Sequence, residues 1–285
     1  MVSSISSLKS YKTPLRYPGG KSRACKKMEP FFPDLRNYNV YYEPFLGGGS
    51  VALHITKKYP NLKIVVNDLY EPLYNFWAQL QIDGQGLQTK LLELKAKHND
   101  HDTAKELFIE SKEQVDNRSL SDHDRAVYFY VINKCSFSGL TEASSFSKQA
   151  SDSNFSVRGI EKLSGYQSLI QRWKITNHSY ESLLNESNSV RDKTFIYLDP
   201  PYEIGSHLYG KKGDLHKYFS HNDFAEKCDR FDHDAMVSYN SSQLIKDRFK
   251  DWKAIEYEHT YTMRSTASYT KAQRGRKELV LLNYD

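Results

Sequence analysis

"NVYYEPFLGGGSVALHITKKY", residues 39–59, decides the fold class. Val40 and Tyr41 begin an apolar run of strand length. Gly47, Gly48 and Gly49 break it, and Val51, Leu53, His54 and Ile55 resume at helical spacing. "LKIVVNDLY" (62–70) follows as a second buried strand, ending in Asn67 and Asp68. Strand, glycine turn, helix, strand is the unit of an α/β sheet. Three glycines let the backbone approach a ligand closely. Asp68, nineteen residues after Gly49 at the next strand's end, is placed to accept hydrogen bonds from ribose hydroxyls. The turn lacks the G-x-G-x-x-G spacing, so the pair suits a nucleoside-containing cofactor without requiring a pyrophosphate. The plainer alternative is a tight turn with Asp68 capping a helix that starts at Glu71.

Working outward, "EPLYNFWAQLQ" (71–81) reads as a helix with proline at an early position, where it is tolerated. Residues 83–125 are polar with helical stretches, and "DRAVYFYVINK" (124–134) is an apolar helix. The serine-rich run 135–159 holds few aliphatic residues and reads as loop or hairpin. "YQSLIQRW" (166–173) is a helix, and "KITNHSYESLL" (174–184) a strand turning into one. Strands are expected at 194–198 and 235–240, with a closing pair within 252–263 and 277–285. Strand–helix units thus bracket a mostly helical insert. The division is 1–81 and 166–285 for the sheet domain, 82–165 for the insert.

With 39% hydrophobic residues the chain of 285 can bury a core. Its net charge of +5 permits a polyanionic partner without demanding one. The three cysteines, Cys25, Cys135 and Cys228, are widely spaced, which points to a reducing compartment. No Cys/His cluster suggests a metal, the N-terminus lacks the apolar core of a signal peptide, and no apolar run is long enough for a membrane span. A soluble, cytoplasmic protein without metal is expected.

"FIYLDPPYE" (195–203) carries the chemistry. Asp199 stands at a strand's carboxyl end, followed by Pro200, Pro201 and Tyr202. An amine whose lone pair is delocalised into an aromatic ring, such as adenine's, is a poor nucleophile. Hydrogen bonds from its two N–H groups, to Asp199 and to the carbonyl of Pro200, favour a more tetrahedral nitrogen. The prolines preset that carbonyl's direction, and Tyr202 offers a face for an extruded base. The bland alternative is a Pro-Pro turn closing a strand. "YPGGKS" (17–22) is no phosphate loop, because Leu15 stands where its first glycine belongs. Lys21 reads instead as a cation near a carboxylate or phosphate, or as a solvated lysine.

Taken in order, "PLRYPGGKS", "EPFLGGGS", "VVND", "LDPPY" and "RKELVLLNY" resemble the motifs of the Dam-type, D12-class DNA adenine-N6 methyltransferases. The resemblance runs over most of the chain and weakens across 82–170. It implies a class I, Rossmann-like sheet with helices on both faces and an inserted, mostly helical target-recognition domain. It implies S-adenosylmethionine as cofactor, contacted by Tyr17, Gly19, Lys21, Glu43, Asp68 and Asp199. Phe45, Gly47 and Gly49 would line the methionine pocket, and Tyr180 would stack on the cofactor's adenine. Asp199, Pro200, Pro201 and Tyr202 would be catalytic, acting on an adenine flipped out of duplex DNA. Two departures stand out. Ser179-Tyr180 replaces an aspartate–aromatic pair, and "NKCSFSGLTEAS" carries Lys134 and Thr141-Glu142 near positions where the family has arginines.

Base flipping needs phosphate contacts and groups that read flanking pairs. Candidates in the polar insert are Asn133, Lys134, Ser138, Lys148 and Arg158. Arg264, Lys271 and Arg274, in a basic segment, would grip the backbone from the other side. A cognate restriction endonuclease would be a genetic partner. Methylation of cytosine N4, RNA adenine or protein glutamine remains open, as does an idle DNA-binding protein with this fold.

Overall fold

The computed structural model describes residues 12–139, 144–189, 192–203, 214–258 and 277–285. The strands are β1 (Val40–Glu43), β2 (Lys63–Asn67), β3 (Trp173–Thr176), β4 (Thr194–Leu198), β5 (Asp234–Asn240), β6 (Lys253–Glu258) and β7 (Lys277–Leu282). They form one sheet in the order β3-β2-β1-β4-β5-β7-β6. The first five are parallel, whereas β7 runs antiparallel to both β5 and β6. Among the parallel strands the order reverses between β1 and β4. That reversal opens a crevice at the strands' carboxyl ends.

The apolar runs are buried on both faces, as parallel strands require. Tyr41, Val66, Phe195, Tyr197 and Met236 face one core; Tyr42, Val65, Ile196, Leu198 and Val237 face the other. Helices α1 (Cys25–Met28), α2 (Ser50–Lys58) and α3 (Glu71–Lys97) supply the first core. The insert follows with α4 (His101–Gln114), α5 (Asp122–Cys135), α6 (Lys148–Asn154), α7 (Val157–Ile160) and α8 (Leu163–Ile170). On the second face lie α9 (Tyr180–Ser189), α11 (His221–Cys228) and α12 (Gln243–Arg248), with the short α10 (Asp214–Lys217) between the first two. The architecture is the class I methyltransferase sheet with helices on both faces.

The helix expected at 71–81 continues to Lys97, with Asp83 out of helical geometry at φ −145° and ψ 65°. Its carboxylate accepts the Gly86 N–H at 2.8 Å, so Asp83 recaps the second half. One apolar cluster passes along α3 from the sheet (Tyr41, Phe195) into the insert (Leu107, Phe129, Ile132). The serine-rich run is a correction. Ser136 pairs with Phe146 as a hairpin bridge, but the second half is helical. Ser147 and Ser156 cap α6 and α7 by accepting the N–H groups of Ala150 and Gly159. Phe155 and Ile160 are fully buried and supply the core contacts that composition obscured.

The glycine turn is held from two sides. Gly47 and Gly49 have φ of +48° and +66°. A Cβ on Gly47 would lie 2.7 Å from the Tyr17 ring, and one on Gly49 2.7 Å from the Trp77 ring. Trp77 also donates its indole N–H to the Gly47 carbonyl at 3.1 Å. Gly49→Ala therefore meets both a left-handed backbone and a ring that is fully buried. We expect a loss of about 2–4 kcal/mol of stability, read as a lower midpoint in urea unfolding. An unchanged midpoint would mean Trp77 moves freely.

Candidate active site

At the crevice between β1 and β4 lies a cleft of about 530 Å³. All ten residues expected at a cofactor line it: Tyr17, Gly19, Lys21, Glu43, Phe45, Gly47, Gly49, Asp68, Tyr180 and Asp199. They come from five separate stretches of chain. Pro201 lines it too; Pro200 is buried and Tyr202 half-buried.

Asp68 stands directly after β2, and its carboxylate holds the backbone on two sides. One carboxylate oxygen accepts the Gly47 N–H at 2.8 Å, fixing the glycine turn. The other accepts the Tyr70 N–H at 3.0 Å, at the start of α3. Each oxygen keeps a lone pair for a further donor. Burial pushes this carboxyl up to about 6, against the opposing pull of the two N–H donors. Neighbouring Asn67 is fully buried and was not foreseen. Its amide donates to the carbonyls of Pro44 and His178 and accepts from Thr176 and the His178 N–H. It thereby ties together the tips of three strands.

One wall of the cleft is aromatic. The Phe45 and Tyr180 rings lie 5.2 Å apart, and Phe219 stands 5.8 and 5.7 Å from them. Ser179, which takes the place of the family's aspartate, accepts the Ser182 N–H at 3.3 Å and so starts α9. Phe219 gave no signal in sequence, because it sits in a polar connection.

Opposite the wall, Lys21 reaches Asp199 with both carboxylate oxygens at 2.8 and 2.9 Å. Lys21 is 3% exposed, so it is no solvated surface lysine. Its ammonium also donates to the Gly19 carbonyl at 3.1 Å. From β5, Ser238 donates its hydroxyl to Asp199 at 2.7 Å, leaving its oxygen to accept from Tyr197 at 2.9 Å. Beside them Glu43 is buried, with its carboxyl held well above the usual range by desolvation, and it accepts the Tyr41 hydroxyl at 2.6 Å. Tyr202 donates its hydroxyl to Glu278 at 2.6 Å, while Lys21 lies 4.7 Å from its ring centroid. Ser238, Tyr197 and Glu278 are polar groups inside apolar strands, and only the register reveals what they touch.

The insert candidates divide. Lys148 and Arg158 are exposed on α6 and α7. Asn133 is fully buried, and its amide exchanges two hydrogen bonds with the Arg16 backbone, at 2.9 and 2.6 Å. The Arg16 guanidinium in turn donates to the Ser136 carbonyl at 2.7 Å. Lys134 is also buried, its ammonium 5.1 Å from the Tyr130 ring centroid. Desolvation and the nearby Arg16 push it down to about 7. In this arrangement Asn133 braces the N-terminal segment rather than projecting outward. Ser138 lies in the turn Phe137–Gly139; Arg264, Lys271 and Arg274 lie outside the described residues. No helix among the described residues is long and apolar enough to cross a membrane.

The sheet order and the cleft at its reversal are those of the class I methyltransferase fold. The model of the D12 class N6 adenine-specific DNA methyltransferases matches residues 17–263, and the chain belongs to that family. It is an adenine-specific DNA methyltransferase with S-adenosylmethionine as methyl donor. That resolves the other amines and the idle binder in favour of adenine N6. The chain is similar to type II methyltransferase M1.LlaDCHI of Lactococcus lactis subsp. cremoris, 25% identical over 94% of each chain. It is also similar to type II methyltransferase M.MjaIII of Methanocaldococcus jannaschii, 25% identical over 66% of this chain and 68% of that one. Modification methylase StsI of Streptococcus sanguinis is 25% identical over 99% of this chain and 44% of its own.

The raised Asp68 carboxyl has a consequence for stability. Between about pH 4, the ordinary aspartate range, and about 6, the folded state binds more protons at Asp68 than the unfolded state. This group therefore makes stability fall as pH rises through that window. Asp68→Asn should flatten that part of the curve of urea midpoint against pH; an unaltered slope would show that Asp68 is not the group responsible.

Proposed function

We propose that Asp199, Pro200 and Tyr202 receive the target adenine, and that the opposite end of the cleft holds the cofactor. The observation that carries this reading is Asp199 itself, fixed at the strand reversal by Lys21 and Ser238. Its carboxylate is pinned before any substrate arrives, the condition under which a polar group contributes most to a transition state.

The residues fit S-adenosylmethionine. Asp68 has lone pairs for ribose hydroxyls, Phe45, Tyr180 and Phe219 offer faces for an adenine, and the Asp199 carboxylate supplies negative charge for a cationic group. Bound there, S-adenosylmethionine supplies an electrophilic methyl group on a positive sulfur. The chain's own task is to prepare the amine. Asp199 accepts one N–H and the Pro200 carbonyl the other, which returns electron density to the nitrogen. Tyr202 carries the base by stacking, and Asp199 accepts the proton the nitrogen sheds. Asp199→Ala should slow methyl transfer from labelled cofactor to DNA by roughly 10²–10³, as loss of a fixed polar contact does, with the fold retained by circular dichroism. Wild-type turnover in that folded variant would refute the assignment.

The insert 82–165, on this reading, is the target-recognition unit, and Lys148 and Arg158 are its phosphate contacts. Both are exposed; α6 packs on α4 and α5, and α7 packs on α3. The relatives' names as type II methyltransferases support a cognate restriction endonuclease as genetic partner. Lys148→Ala and Arg158→Ala should each weaken binding to all duplexes alike and lower the salt slope by about one. Filter binding across a salt series measures both. A changed sequence preference with an unchanged slope would instead make them base readers.

A further inference from the structure

The catalytic motif ends at Tyr202, but the structure extends the site to Glu278 in β7, a residue of the terminal motif. Glu278 is 1% exposed and stands at the start of that strand. Because β7 runs against β5, its first residues lie beside the last residues of the parallel strands; Glu278 is paired with Asn240. An antiparallel strand thus delivers a carboxylate to the catalytic edge of the sheet. The positions after it, Leu279, Val280 and Leu281, are fully buried apolar residues. A carboxylate in that company is costly unless it accepts hydrogen bonds. It accepts the Tyr202 hydroxyl at 2.6 Å, a short contact of the charge-assisted kind.

Tyr202 is then constrained on every side. Pro200 and Pro201 limit the backbone before it. After it, Glu203 is gripped by Arg248 of α12 at 2.9 Å. Tyr239 lies 5.8 Å from its ring, and the Lys21 ammonium 4.7 Å from its centroid. The remaining freedom is rotation and tilt of the ring, and a tether at the phenol oxygen removes it. We infer that Glu278 is a positioning residue for base capture, acting through the Tyr202 hydroxyl to hold the ring in one plane relative to Asp199. The inference rests on the reading of Tyr202 as the platform for the flipped adenine. An acceptor on Glu278 also adds electron density to the ring, so the same contact strengthens its attraction for Lys21.

Four variants test this: Glu278→Leu, Glu278→Gln, Tyr202→Phe and the pair Glu278→Leu with Tyr202→Phe. Tyr202→Phe keeps the ring and removes only the tether. Single-turnover methylation, cofactor affinity and thermal midpoint are measured for each. We expect Glu278→Leu and Tyr202→Phe each to lower kcat roughly 10- to 100-fold, the span for loss of a charged hydrogen bond. Glu278→Gln, which keeps the shape and an acceptor, restores part of the rate. Cofactor affinity stays within about twofold, and the paired variant is no slower than the slower single. A paired variant whose losses multiply, or Glu278→Leu at wild-type rate, overturns the inference; so does a rate that follows the thermal midpoint instead of the tether. Tyr202→Ala with 2-aminopurine at the target separates the two claims. Wild-type fluorescence there removes Tyr202 as platform, and Glu278's role with it. Lost brightening beside a Glu278→Leu enzyme of normal rate removes the Glu278 role alone.

Discussion

The ion pair between Lys21 and Asp199 is the contact on which the site depends. It joins the first described turn of the chain to the strand tip at the sheet's reversal, across 178 positions of sequence. An ammonium with 3% exposure needs a charged partner, and the carboxylate is that partner. Because Lys21 is drawn inward, Tyr17 is laid against the glycine turn and Gly19 is brought to the cleft wall. The N-terminal segment, which belongs to no strand, becomes one side of the cleft.

A second constraint is the direction of β7. Five parallel strands place their carboxyl ends at the cleft, so whatever lines it must come from strand tips or the loops beyond. The antiparallel strand breaks that rule and brings the start of a strand to the same edge. The fold thereby gains a position for a buried polar group on rigid backbone, where loops would supply only mobile ones.

Much of this was legible beforehand. The strands announce themselves as apolar runs, and the glycine turn with Asp68 marks the cleft by position alone. The polar partners were not legible. Ser238, Glu278 and Asn67 are single polar residues within apolar strands, and what they meet is set by register between strands far apart in sequence. Polarity misled in the insert for a related reason. Polarity marks Asn133 and Lys134 as candidate DNA contacts, yet both are buried; Asn133 completes the hydrogen bonds of a backbone segment more than a hundred residues away. In the serine-rich run, hydroxyls that suggest loop serve as helix caps, and two large apolar residues suffice to seat the helices.

The brace between Arg16 and Asn133 carries an implication for how such enzymes diversify. Arg16 is stitched to the end of α5 through its backbone, while its neighbour Tyr17 rests on the glycine turn. Two adjacent residues thus belong to opposite halves of the molecule. The apolar cluster running along α3 welds the same halves together. The insert is not a cassette. A segment transplanted from a relative would arrive without the backbone it grips and without the core that α3 shares with the sheet. With the recognition role proposed for 82–165, a new specificity is reached by exchanging side chains on the surface of the insert, not by exchanging the insert.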